Sequence, residues 1–169
     1  MKTGPGRARL VALVAYAAAM GWLEGVVVVY IRAILGMKHG EPLPAPAEVM
    51  DRLRSIPWLM PTEQGRELAT LVMLVTVGWV AARTWPARLG ALLVCFGVWD
   101  ITYYVALYAM LRWPPGLGTM DLLFLIPPHP IWYQPVWVPV AISAVMIATG
   151  TVLLWRDRRP PAPSAPARP

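Results

Sequence analysis

Four stretches of the chain are nearly free of charge: residues 10–31, 68–82, 89–111 and 138–155. A helix needs about 20 apolar residues to cross roughly 30 Å of hydrocarbon. The first and third runs reach that length. The second is short, but Arg66 and Glu67 extend it toward the interface, and Trp137 and Trp155 frame the fourth. The pattern predicts an all-α polytopic membrane protein with four transmembrane helices, at about 10–34, 63–83, 87–111 and 137–155. They form one domain over residues 1–156. The remaining residues, 157–169, end in "RPPAPSAPARP", which predicts an extended, disordered tail.

The connecting segments carry their own signals. In residues 37–61, "AEVMDRLRSI" spaces Val49, Leu53 and Ile56 on one helical face, predicting a short amphipathic helix on the membrane surface, with an ordered loop free of membrane contact as the alternative. Thr62 is placed to cap the second span, with Glu63 facing the positive end of its dipole. "RTWPAR" reads as a tight turn with Pro86 in the first turn of the third helix, which makes the second and third spans an antiparallel hairpin. Between the third and fourth spans, "LLFLI" is too short to cross and the prolines after it prevent a continuous helix. A Pro-rich re-entrant or interfacial segment is expected there, with residues 121–136 as a lid over the bundle. Trp58, Trp85, Trp113, Trp132, Trp137 and Trp155 fall at expected interfaces, as in an aromatic belt.

Composition agrees with the pattern: at 57% hydrophobic and 14% charged, the 169 residues offer too little polar surface to cover a soluble domain. The distribution of Lys and Arg sets the expected orientation. Lys2, Arg7 and Arg9 precede the first span, Arg83 and Arg88 lie between the second and third, and Arg156, Arg158 and Arg159 follow the fourth. Those segments, and so both termini, are expected in the cytoplasm, and the 112–136 segment outside it. This asymmetry accounts for the net charge of +6 without nucleic acid, for which no basic face is present. A signal peptide is the competing reading of the basic N-terminus, but the apolar run continues through "VVVVYI" beyond the length of a signal core. The richness in Ala, Arg, Pro and Gly is that of a high-GC bacterial gene and points to a bacterial cytoplasmic (inner) membrane.

The candidate chemistry lies within the spans. At about 1.5 Å per residue from the expected cytoplasmic ends, Glu24 sits about 22 Å deep, Arg66 and Glu67 about 24–25 Å, Asp100 about 18 Å, and Tyr103 and Tyr104 about 22–24 Å. Glu63, Arg66, Glu67 and Thr70 share one stripe of their helix; Asp100, Tyr103, Tyr104 and Tyr108 share one side of theirs. A charge at mid-bilayer costs about 3 kcal/mol even on the lenient insertion scale, so these groups should converge inside the bundle. One arginine cannot neutralise three carboxylates, and Asp100, beside two phenols, is the choice to keep its proton. Glu24 lies within "GWLEG", a GxxxG in which Gly21 and Gly25 allow close helix approach. Three outcomes stay open: ion pairs that only fasten the helices, a ligand or proton site, and contacts to another subunit.

Other chemistry is poorly supported. Cys95 is alone, His39 and His129 lack partners at metal-ligand spacing, and no nucleotide, hydrolase or haem motif occurs. No metal and no cofactor is expected. The blocks "EQGRELATLVML", "FGVWDITYYV" and "DLLFLIPPHPIW…PV" together resemble a group of small bacterial four-helix membrane proteins without assigned activity. That likeness covers most of residues 10–155 and implies the four-helix fold, with no catalytic residue to carry over. The expectation is an outward-facing intramembrane pocket of Glu24, Arg66, Glu67, Asp100, Tyr103 and Tyr104. It would bind, and by extension pass, a small polar or amphipathic ligand or a proton, with Arg66 anchoring an anionic group. The alternatives are an accessory subunit, in a homo-oligomer or a larger membrane complex, and a lipid-modifying enzyme using carboxylate and tyrosine as acid and base.

Overall fold

The computed structural model describes residues 5–157; Lys2 and the Pro-rich tail beyond Asp157 lie outside them. Five helices carry the fold: α1 (Pro5–Ile34), α2 (Pro46–Ser55), α3 (Leu59–Ala81), α4 (Trp85–Leu111) and α5 (Trp137–Arg156). Three are long and apolar enough to cross a membrane: α1 over Gly6–Ile34, α4 and α5. These mark the chain as a helical-bundle membrane protein. Helix α3 has 23 residues, but Glu63, Arg66 and Glu67 crowd its first half and keep it out of that group.

Helix α4 is the hub, and small residues explain why. A β-carbon at Gly21 of α1 would sit 2.4 Å from the Trp99 carbonyl oxygen, and one at Gly25 would sit 2.8 Å from the Ala106 β-carbon. The GxxxG face is therefore occupied by α4 of the same chain and is not free for another subunit. On the opposite side, Gly90 and Gly150 face each other so closely that a β-carbon at Gly150 would lie 2.5 Å from the Gly90 carbonyl oxygen. Leu13, Ala17, Leu74, Val94, Cys95 and Leu154 fill the core between these helices. Cys95 is a buried packing residue.

One end of the bundle gathers the start of α1, the α3–α4 turn and the end of α5. There Arg9 lies 3.7 Å from Asp157 and donates to the Ala81 carbonyl, while Thr84 donates to Asp157 at 2.6 Å. Thr84 also caps α4, with Pro86 in its first turn as expected.

Thr62 is not the cap of α3. The helix begins three residues earlier at Leu59, and the Thr62 hydroxyl donates back to the Trp58 carbonyl at 2.6 Å. The proline at position 61 tolerates this because the first turn of a helix has no acceptors for its N–H groups. The expected amphipathic helix is present as α2, with Val49 and Leu53 packed against Leu59 and Leu125 of the chain itself.

The segment between α4 and α5 is folded. Arg112 ends α4 in the left-handed conformation, at φ 55°. Strands β1 (Met120–Leu122) and β2 (Tyr133–Pro135) then pair antiparallel, with Asp121 opposite Gln134. A 3-10 turn at Pro130–Trp132 lies between them, capped by His129 Nδ1 accepting from the Ile131 N–H. Trp113 does not belong to an aromatic belt: it is fully buried, beside Tyr104 and under the Arg32 guanidinium at 4.8 Å. Trp58, Trp85, Trp137 and Trp155 are exposed.

Candidate functional site

A cavity of about 350 Å³ lies where α1, α3, α4 and α5 meet beneath the β1–β2 ribbon. It is at the end of the bundle opposite the Arg9–Asp157 pair. All six residues singled out from the sequence line it: Glu24 from α1, Arg66 and Glu67 from α3, and Asp100, Tyr103 and Tyr104 from α4. The helical spacing explains the convergence. Glu63, Glu67 and Thr70 are buried on one stripe of α3, while Leu68, Val72, Val75 and Val80 are exposed on the other side. Tyr108, the fourth residue of the α4 stripe, is exposed and does not line the cavity.

The polar contacts differ from those expected. Arg66 donates from Nη1 to Glu24 and from Nε to Glu63 at 2.7 Å, so its guanidinium is bracketed by two carboxylates. It is not available as a simple anchor for an anion. Glu63 is buried beside them. Asp100 accepts from the Ser143 hydroxyl of α5 at 2.8 Å, not from the neighbouring phenols. Tyr104 turns the other way and donates to Asp121 at 2.9 Å.

Asp121 is the residue that sequence reasoning missed. Only 4% exposed, it points from β1 into the same cavity and also accepts from the Leu122 N–H. Burial pushes its carboxyl above the usual carboxylate range, partly offset by the Tyr104 hydroxyl, the Leu122 N–H and the nearby Arg32 charge. Arg32, 5% exposed near the end of α1, was also overlooked; it donates to the Glu41 carbonyl as well as stacking on Trp113. The available signal was an acid at the head of "LLFLI", a position without purpose in an apolar interfacial segment unless the acid faces inward.

The ribbon is fastened over the cavity at two points. Both Glu67 carboxylate oxygens accept from the Leu125 N–H, at 2.9 and 3.0 Å, and Gln64 donates to the Leu125 carbonyl at 3.1 Å. The Tyr104–Asp121 bond is the second. Phe124 and Trp132, stacked edge to face at 5.1 Å, form the ribbon's apolar underside, while Phe96, Trp99, Ile142 and Met146 form the helical walls.

A largely apolar chamber with a few polar groups can hold a ligand that is itself part apolar and part polar. Comparison with protein-family models, curated proteins and solved structures finds no match. The class is thus defined by the fold and cavity alone: a helical membrane protein with a chamber between its helices.

Proposed function

We propose that this protein binds a small amphipathic molecule in the chamber between its helices, under the β1–β2 ribbon. The observation that carries this reading is the chamber's mixed lining. Carboxylates and tyrosines share it with aromatic and aliphatic side chains, in a volume at the lower end of the range of ligand sites. Ion pairs that only fasten helices require no such space. With Gly21 and Gly25 already packed on α4, the accessory-subunit reading keeps only the exposed aromatic side chains as a contact face.

The reading includes four spans in a bacterial inner membrane with both termini cytoplasmic. Support for α3 as the fourth span comes from its sidedness: the polar stripe is buried, and Leu68, Val72, Met73 and Val80 face outward where lipid would be. Support for the orientation comes from the gathering of Arg9, Thr84 and Asp157 at one end, with Arg83 and Arg156 in the adjoining segments.

The test is saturable binding of an uncharged, polarity-sensitive naphthalene dye to the purified protein. Met146→Trp, which fills the chamber from α5, should abolish the saturable signal while leaving the thermal midpoint nearly unchanged. Equal binding by the stable variant would refute the chamber as the site.

A further inference from the structure

The chamber's charges define its ligand more narrowly, and the inference rests on the chamber being a binding site. Its lining carries Glu24, Glu67, Asp100 and Asp121 against a single lining cation, Arg66. Arg66 is held between Glu24 and Glu63. The other three carboxylates have no ion pair among the described residues: Glu67 meets a backbone N–H, Asp100 a serine hydroxyl, and Asp121 a phenol and a backbone N–H. Arg32, whose charge lies near Asp121, bonds the Glu41 carbonyl and covers Trp113. Neutral donors orient a carboxylate but do not cancel its charge. Burial and mutual repulsion favour protons on carboxyls clustered around one low-dielectric chamber, so the cluster disfavours an anion and a bound cation takes a proton's place.

The aromatic lining selects among cations. Phe96, Trp99, Tyr103, Tyr104, Phe124 and Trp132 surround the same space, and ring faces attract organic ammonium groups while adding apolar contact for the rest of the molecule. The acids are dispersed over four elements, and among the described residues no three of His, Cys, Asp and Glu are grouped to hold a metal ion. We propose that the ligand is a hydrophobic organic cation, an amine or quaternary ammonium with an aromatic or short alkyl body. Its head would lie among Glu67, Asp100 and Asp121, and its body against Phe96, Phe124 and Trp132.

The experiment compares three probes of one shape on protein in zwitterionic-lipid nanodiscs. The probes are a phenylalkyl trimethylammonium, its uncharged tert-butyl isostere and the sulfonate of equal length. Equilibrium dialysis gives the bound fraction, with empty nanodiscs subtracted. The cation should bind about tenfold more tightly than the isostere, equivalent to one modest ion-pair interaction, and the sulfonate most weakly. Asp100→Asn and Glu67→Gln should each shrink the cation's advantage severalfold, read as the ratio of cation to isostere affinity within the same variant; two variants at different helices guard against a folding defect in either. If the isostere binds as tightly as the cation, and Met146→Trp removes both, the cation inference is overturned and the binding chamber stands. If no probe shows saturable binding sensitive to Met146→Trp, both fall.

Discussion

Replacing Glu67 by alanine should loosen the β1–β2 ribbon without unfolding the bundle. Both oxygens of this carboxylate accept from the Leu125 N–H, at 2.9 and 3.0 Å, in a buried setting. A hydrogen bond to a charged group contributes about 1.5–3 kcal/mol. Among the described residues, only one other hydrogen bond, Gln64 to the Leu125 carbonyl, holds that stretch to α3. At about 1.4 kcal/mol per decade, the open population of the ribbon should rise roughly ten- to hundredfold. Hydrogen exchange read by mass spectrometry on a peptide spanning Leu122–Leu125 measures this directly, with a peptide from the middle of α4 as internal reference. Glu67→Gln retains a carbonyl acceptor and loses only the charge, so its effect should be several times smaller. Unchanged exchange in Glu67→Ala, or equal acceleration in both variants, would refute the assignment of Glu67 as a latch.

Further perturbations test separate parts of the structure. Gly21→Ala forces a methyl against the Trp99 carbonyl and the Thr102 side chain and should cost about 1–3 kcal/mol in thermal or denaturant unfolding. Gly65→Ala meets nothing within 4 Å and should be neutral or stabilising, because alanine favours the helix by about 1 kcal/mol. Trp113→Ala empties a fully buried site and should destabilise by about 3–5 kcal/mol; Trp85→Ala, at an exposed ring, should cost far less by the same measurement, and similar losses would return Trp113 to the belt. Asp121 has a folded-state pKa raised above its ordinary value of 3.8 by burial. The stability it contributes is therefore full below that value and declines as pH rises through the folded pKa. Asp121→Asn should flatten that decline in a series of thermal midpoints from pH 4 to 7, and an unaltered slope would mean that Asp121 is not the titrating group.

What was legible in the sequence follows from the cost of placing a charge in hydrocarbon. That cost ties each intramembrane acid or base to an inward face, and helical periodicity then aligns Glu67 with Thr70 and Asp100 with Tyr104. Charge cost and periodicity alone thus direct six residues to one chamber. The same rule says nothing about which inward group meets which. Asp100 was expected to meet phenols because they are near in sequence, whereas α5 brings Ser143 within 2.8 Å across its contact with α4. That contact exists because Gly97 leaves room for the Ser143 backbone, a pairing no single-helix pattern contains.

The ribbon was harder still, for a different physical reason. Its strands are three residues each, too short for a period of two to stand out, and its prolines signal only that a helix cannot continue. Asp121 acquires meaning only when β1 turns it toward Tyr104 and away from the interface. A carboxylate so buried is costly unless something compensates it, and Tyr104 and the Leu122 N–H offer only neutral hydrogen bonds. Its retention beside Glu67 and Asp100, where three apolar residues would pack at less cost, is better explained by a chamber that receives positive charge than by one built only to hold four helices together. The nanodisc comparison decides between those accounts, because a purely structural cluster would give the cation no advantage over its uncharged isostere.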